Sequence, residues 1–475
     1  MTEEGVDASH VSDTQAEHPA DSLGLGVEEM RPLAHWAVDR VLDHFEHGAR
    51  GPAIKESSSA DLLAALGGPP PEEPGDPLEA METLVDVALA NMQHGDHPRY
   101  FARIPGPSSF AGVLGEWLGT GFNAIAASWP GGSGPATAEL VVLDWLRSLF
   151  GMPEGTEGVL ASGGSLANIT GLIVARKMDG AGVAYVSEQT HTSITRGLLA
   201  IGFPDEHIRV LASDAEFRLD VDSVRAAIDE DRAAGRRPGF VIATAGTTNC
   251  GAVDPLGALA DLCAAEDLWL HVDGAYGAPA VLCDAGRTAL AGIERADSLV
   301  VDPHKWLFQP YDIGCLLVRR PGALADAFHM SPEYLTGAST GTGEVDFRDR
   351  SLELSRRARA LKLWLSFRVY GLARMRAAIA RGIELAEYAE SVVREDDRWE
   401  LVTPAQLGIV TFALPGATAA EHAARAAALA RDGYAAVTST ALRGRPVLRL
   451  CTINPRTTEN DIASTLDRLA TASAA

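Results

Sequence analysis

Cysteine is scarce in this chain: five residues in 475, at positions 250, 263, 283, 315 and 451, odd in number and never in a C-x-x-C pair. That spacing excludes a disulfide framework and suggests no zinc site, leaving reduced thiols in apolar surroundings as the expectation. Cys250, in a Thr/Gly/Asn stretch, is the one expected to be accessible. Basic charge is short as well. Forty lysines and arginines stand against 64 aspartates and glutamates, a net charge of −24, which argues against nucleic-acid or anionic-membrane partners. No apolar run approaches the ~20 residues of a membrane span. Residues 1–23 are acidic and polar, without the basic and apolar regions of a signal peptide, so the expected location is cytoplasmic. There is no internal repeat.

What is present is an ordinary globular composition, 46% hydrophobic and 22% charged, long enough for one major domain with additions. Residues 1–26 read as a disordered acidic tail. From Met30, Leu33, Trp36, Ala37 and Val41 recur at helical spacing, with Pro32 suited to a first turn. A Gly-Gly-Pro-Pro-Pro-Glu-Glu-Pro run at 67–74 breaks the chain, so residues 1–77 are predicted to be a tail and a helical arm that packs on a partner surface. Between 78 and 350, apolar runs at 183–187, 207–211, 240–244, 268–272, 298–301 and 314–318 read as strands, with helices between them at 222–234 and 258–266. Such alternation predicts an α/β domain with a mostly parallel sheet covered on both faces. Residues 351–475 read as a smaller α+β domain, helical through Tyr370 and again along Ile379, Ile383, Ala386 and Val393. Thr458-Glu459-Asn460-Asp461 is a capping box for the last helix.

Two of the apolar runs end in chemistry. Leu268-Trp269-Leu270-His271-Val272 delivers Asp273, and Ser298-Leu299-Val300-Val301 delivers Asp302-Pro303-His304-Lys305. A carboxylate and an amine at strand ends are what pyridoxal phosphate requires: the lysine for a Schiff base with the aldehyde, the carboxylate to keep a proton on the pyridine nitrogen. Either residue alone also matches the first polar residue of a surface loop. Two further segments strengthen the reading. Ser162-Gly163-Gly164-Ser165 leads into a helix whose first amides can bind a phosphate, with Ser165 as its cap. Thr190-His191-Thr192-Ser193 follows a strand and can place an imidazole over a pyridine ring. All four fall at the carboxyl ends of predicted strands, where open α/β sheets bind ligands.

Together these segments resemble the pyridoxal-phosphate-dependent group II decarboxylases, the family of aromatic amino-acid, histidine and glutamate decarboxylases, from about Leu33 to Arg468. The resemblance implies fold type I, of the aspartate-aminotransferase kind, and a homodimer with active sites at the subunit interface. It implies Lys305 as the Schiff-base lysine and Asp273 as the partner of the pyridine nitrogen. His191 and Ala275 would lie on the two faces of the ring, Gly164, Ser165 and Asp302 at the phosphate, Thr247 beside the phenolic oxygen, and His304 between phosphate and reacting centre. Pro135-Ala136-Thr137-Ala138-Glu139 resembles a family signature, with Ala138 where a threonine is usual.

Three departures shape the expected activity. In Glu344-Val345-Asp346-Phe347-Arg348, Phe347 falls where the family has a loop tyrosine that delivers a proton after CO2 leaves. The same exchange accompanies aldehyde, ammonia and peroxide formation in the family's plant aldehyde synthases. Gly95, Arg103 and Gly106 replace a Trp, a Tyr and a Thr of aromatic relatives, and Ala127 occupies an aromatic position. This predicts a wider pocket in which Arg103 meets an anionic or polyhydroxylated extension, as on a large substrate of secondary metabolism. The expectation is therefore α-decarboxylation of an L-α-amino acid coupled to oxidative deamination. The alternatives are simple amine formation, with His191 or another group giving the proton, a carbon–sulfur β-lyase on a cysteine S-conjugate, and a catalytically silent homologue.

Overall fold

The computed structural model describes residues 24–330 and 344–472. Most of the predicted acidic tail and residues 331–343 lie outside this range. The described parts of Met1–Arg50 and Ser57–Ala90 form one compact unit, and the rest of the chain forms a second. In the first, helices Val27–His47, Ser59–Leu66 and Pro77–Thr83 contain no buried residue. Ser58 and Asp76 cap the two shorter helices. Pro32 sits inside the first helix, which begins at Val27, earlier than its apolar spacing implied.

The second unit is built on a seven-stranded sheet. Its strands are β1 (Glu157–Ala161), β2 (Val183–Ser187), β3 (Ile208–Leu211), β4 (Pro238–Thr244), β5 (Trp269–Asp273), β6 (Ser298–Val301) and β7 (Gly314–Val318), in the order β1-β7-β6-β5-β4-β2-β3. The run from β6 to β3 is parallel, while β7 pairs antiparallel with β6 and with β1. Every residue of β2, β4, β5, β6 and β7 is buried. That explains their unbroken apolar runs: helices cover both faces, so no position alternates toward water. Each large apolar side chain so buried contributes about 1.5–3 kcal/mol.

A second, antiparallel sheet, in the order β10-β11-β9-β8, is made of β8 (Glu400–Gln406), β9 (Ile409–Ala413), β10 (Thr438–Leu442) and β11 (Arg445–Cys451). Helix Ala360–Glu395 precedes it, kinked at Gly371, whose φ of 69° suits glycine. The predicted helix after Arg348 therefore starts only at Ala360. Residues Phe347–Arg350 form a 3-10 turn instead. Helix Glu459–Thr471 has the predicted capping box: Thr458 Oγ1 accepts from the Asp461 amide and the Asp461 carboxylate accepts from the Thr458 amide. The fold is α/β fold type I with a smaller C-terminal α+β domain.

Candidate active site

The carboxyl ends of β4, β5 and β6 open into a cavity of about 350 Å³. Of the residues singled out above, Gly164, Ser165, His191, Asp273, Ala275, Asp302, His304 and Lys305 line it, from segments up to 141 positions apart (305 − 164). Adjacent parallel strands carry the two carboxylates: Asp273 ends β5, Asp302 follows β6, and the Asp302 amide donates to the Ala275 carbonyl at 3.1 Å.

Asp302 Oδ2 lies 2.9 Å from Lys305 Nζ and 3.5 Å from His304 Nε2. Burial works to lower the Lys305 pKa, but the Asp302 carboxylate, by charge and hydrogen bond and with help from Asp273, outweighs it and holds the amine above its ordinary value. Burial pushes the His304 imidazole down, against the pull of Asp302. Its ring packs 4.7 Å from Tyr311 and its Nδ1 faces the Ile313 amide at 3.4 Å. Asp273 is held by neutral donors instead: the Ala275 amide to Oδ1 and Asn168 Nδ2 to Oδ2, both at 3.1 Å.

Helix Gly164–Asp179 points its N-terminus at the cavity, and no side chain caps it. Ser165 was expected to be that cap, but it stands one residue inside the helix, so the first-turn amides remain for an anion. A Cβ on Gly164 would come 2.7 Å from Asp302 Oδ2 and 3.1 Å from the Ala275 Cβ, and one on Gly163 would come 3.0 Å from the His304 ring. Backbone alone fits there. His191 caps helix Thr192–Ala200, its Nδ1 taking the Ser193 amide at 3.3 Å and facing Ser193 Oγ at 2.9 Å.

Several placements differ from expectation. Asp302 Oδ2 is taken up by Lys305 and His304, while its Oδ1 is buried without a partner. Thr247 is buried with its hydroxyl between Cys250 Sγ (3.3 Å) and the Ala252 amide (3.0 Å). Gly246 and Thr248 line the cavity, because Gly246 turns at a φ of 103° and breaks the strand alternation. Cys250, expected to be accessible, is fully buried. Arg103 is exposed, with its amide on Thr438 Oγ1 at 2.8 Å and its guanidinium toward Gln93. It does not line the cavity. Gly106 packs against Tyr311, whose hydroxyl leaves 2.7 Å for an added Cβ. Ala127 is buried, its carbonyl taken by the Arg348 amide.

Phe347 is also outside the cavity. Its ring is fully buried, with the Arg356 guanidinium carbon 4.9 Å from its centroid. Arg356 grips Glu139 through two bonds of 2.6 and 3.2 Å, both side chains at 0% exposure, and Glu139 Oε1 accepts from the Leu160 amide at 2.9 Å. The signature ending in Glu139 is thus a clamp on β1, and Phe347 is part of its packing.

Sequence reasoning missed Asn168, Ser193, Thr248, Tyr276 and the supporting His271. His271 had a signal: it stands two residues before Asp273 on a strand, hence on the same face.

The cavity holds what pyridoxal phosphate needs. It has an amine paired with a carboxylate, an uncapped helix start without Cβ atoms, a second carboxylate held by two neutral donors, and an imidazole at the rim. Asp302 Oδ1 is buried without a partner, an acceptor left for a group not made of protein. A lysine and two carboxylates at strand ends on this fold define a pyridoxal-phosphate enzyme of fold type I.

Residues 70–415 match the pyridoxal-dependent decarboxylase conserved domain. An aromatic-L-amino-acid decarboxylase of Bacillus atrophaeus is 44% identical over 458 residues, covering 93% of this chain and 95% of that one. Two solved structures are similar: Oryza sativa TDC with PLP and tryptamine (TM-score 0.87, 30% identity, 94% and 97% covered) and Rhodiola rosea 4-hydroxyphenylacetaldehyde synthase (TM-score 0.86, 28% identity, 94% and 98% covered). The chain belongs to the pyridoxal-dependent decarboxylase family, and its cofactor is pyridoxal phosphate. Among the described residues no helix is long and apolar enough to cross a membrane.

Proposed function

We propose that this enzyme removes the α-carboxyl group of a bulky, aromatic-type L-amino acid as CO2 and returns the amine. Bound pyridoxal phosphate supplies the electron sink for the pair left at the α-carbon. Lys305 would tether the cofactor, with Asp302 beside its amine; Asp273 would pair with the ring nitrogen, and the first turn of helix Gly164–Asp179 would receive the phosphate. His191 and Ala275 would lie at the ring. The observation that supports the amine outcome is the 44% identity, over 93% of this chain, to a protein named aromatic-L-amino-acid decarboxylase. Phe347 lies buried beneath Arg356 and outside the cavity of its own chain.

The oxidative reading is supported by the likeness to the Rhodiola rosea synthase and to a phenylacetaldehyde synthase of Petunia hybrida (34% identical over 409 residues). It would consume O2 and water and give aldehyde, CO2, ammonia and hydrogen peroxide. Product masses and peroxide from aromatic amino acids in air separate the two: amine without peroxide is expected, and aldehyde with equimolar peroxide would reverse the conclusion. Phe347→Tyr should leave the product ratio unchanged.

The proposed assembly is a homodimer, with residues 1–77 forming an arm on the partner. Helix Phe110–Gly121 and the following turn expose Leu114, Leu118 and Phe122, the last at 83%, and helix Ala360–Glu395 exposes Trp364 and Val369. Large exposed apolar groups of this kind mark contact surfaces.

A further inference from the structure

We propose that His271 is a positioning residue: fully buried on β5, it fixes through Asn168 the orientation in which Asp273 and His191 meet the cofactor. A chain of hydrogen bonds runs beneath the cavity floor. Trp269 Nε1 donates to Ser298 Oγ at 2.8 Å, Ser298 Oγ lies 2.7 Å from His271 Nδ1, and His271 Nε2 lies 3.0 Å from Asn168 Oδ1. Asn168 Nδ2 then reaches Asp273 Oδ2 at 3.1 Å and Ser193 Oγ at 3.3 Å, and Ser193 Oγ lies 2.9 Å from His191 Nδ1.

The Asp273 carboxylate, which only accepts, gives this chain one direction. Asn168 Nδ2 donates to it and so turns Oδ1 toward His271. Oδ1 only accepts, so the proton of the neutral His271 sits on Nε2, and Nδ1 accepts from the Ser298 hydroxyl, which itself accepts from the Trp269 indole. Both amide hydrogens of Asn168 are then used, on Asp273 and Ser193. At the other end the Ser193 amide donates to His191 Nδ1. The Ser193 hydroxyl therefore also donates to that nitrogen, and the proton of a neutral His191 stands on Nε2. Reversing the Asn168 amide would set its oxygen against the Asp273 carboxylate and leave two donors, its NH2 and the His271 Nε2 hydrogen, facing each other. Burial supports the assignment by pushing the His271 pKa down to about 4, which keeps the imidazole neutral with a single hydrogen. Gly171 makes the approach possible: a Cβ there would come 2.8 Å from His271 Cε1.

So the side chain that hydrogen-bonds and orients Asp273 also sets the tautomer of His191, and both depend on a histidine that does not line the cavity. This rests on the pyridoxal site and is independent of which product leaves. The test compares His271→Leu, His271→Gln and Asn168→Leu, each reconstituted with pyridoxal phosphate. It reads CO2 release, the cofactor dissociation constant and the pH dependence of the cofactor's visible absorbance. Leucine at 271 removes the donor, while glutamine restores an amide donor near the Nε2 position. His271→Leu and Asn168→Leu should each lower kcat roughly tenfold or more with little change in KM, the scale of losing a supporting hydrogen-bond partner. Both should weaken cofactor binding and displace the absorbance midpoint, and His271→Gln should recover most of each change. Wild-type absorbance and kcat in His271→Leu would overturn the proposal. So would equal impairment of the leucine and glutamine variants beside an unaffected Asn168→Leu, which would make His271 a packing residue. If His271→Leu does not fold, Asn168→Leu decides by the same readouts. Failure of the site itself shows separately, as Lys305→Ala retaining the wild-type absorbance.

Discussion

Asp273 and Asp302 leave neighbouring parallel strands, both nearly buried, one at 6% and the other at 2% exposure, yet they are dressed oppositely. Around Asp273 the donors are neutral, an asparagine amide and a backbone N–H. Around Asp302 they are a lysine and a histidine. Neutral donors orient a carboxylate without pairing it to a cation, so Asp273 is left without a protein counter-ion in its hydrogen-bond shell. Asp302 has the Lys305 amine close by, and so governs the protonation of Lys305. One residue type thus serves as counter-ion to the cofactor at one strand end and as keeper of the nucleophile at the next.

The sharpest way to break this pairing of roles is Asp273→Asn. An amide cannot hold the ring nitrogen's proton, and CO2 release should fall by about 10²–10³-fold, the scale of removing a preorganised electrostatic partner, while the cofactor stays attached to Lys305. A larger loss in Asp302→Asn than in Asp273→Asn would reverse the two roles. Asp302→Asn should act more mildly and through the lysine. With its main counter-ion gone and burial opposed only by the weaker pull of Asp273 and Tyr311, the Lys305 pKa should drop, so the apoenzyme should capture pyridoxal phosphate at lower pH than wild type. Stopped-flow absorbance across pH reads this directly; an unchanged or rising midpoint would detach Asp302 from the lysine.

The smallest effect concerns the supporting histidine. His271 has its pKa depressed from the ordinary 6.5 to about 4 by burial, so the unfolded chain binds this proton more readily. The neutral form's contribution is present above pH 6.5 and is lost as pH falls toward 4. The loss reaches on the order of 2 kcal/mol by pH 4.5. Urea midpoints at pH 7 and 4.5 should therefore fall further in wild type than in His271→Gln. Parallel shifts would mean that this residue is not the titrating group.

Much of this was legible in the sequence for a physical reason. Strands buried on both faces read as continuous apolar runs, so β2, β6 and β7 match their predicted limits and β3, β4 and β5 differ only at their ends. Asp273 and Lys305 stood out because a strand end is where a polar residue meets a ligand. What escaped depended on contacts distant in sequence or on turn geometry. The bond between His271 and Asn168 spans 103 positions, and no local pattern marks it. Which of Thr247 and Thr248 faces the cavity is decided by the positive φ at Gly246. Ser165 was one residue away from the helix start that it was expected to cap. Phe347 occupied an alignment position that implied chemistry, but Arg356 and Glu139, the latter more than two hundred residues away, draw it into the scaffold. Strand β1 was hidden by the glycine turn that follows it.

The central claim is that Lys305, between Asp302 and Asp273, carries the cofactor. The most direct measurement is borohydride reduction of the pyridoxal-phosphate-loaded enzyme followed by peptide mass mapping. The account predicts a pyridoxyl-phosphate mass on the peptide containing Lys305, and its disappearance together with the visible absorbance in Lys305→Ala. A cofactor mass on any other lysine, or absorbance that survives the substitution, would contradict it.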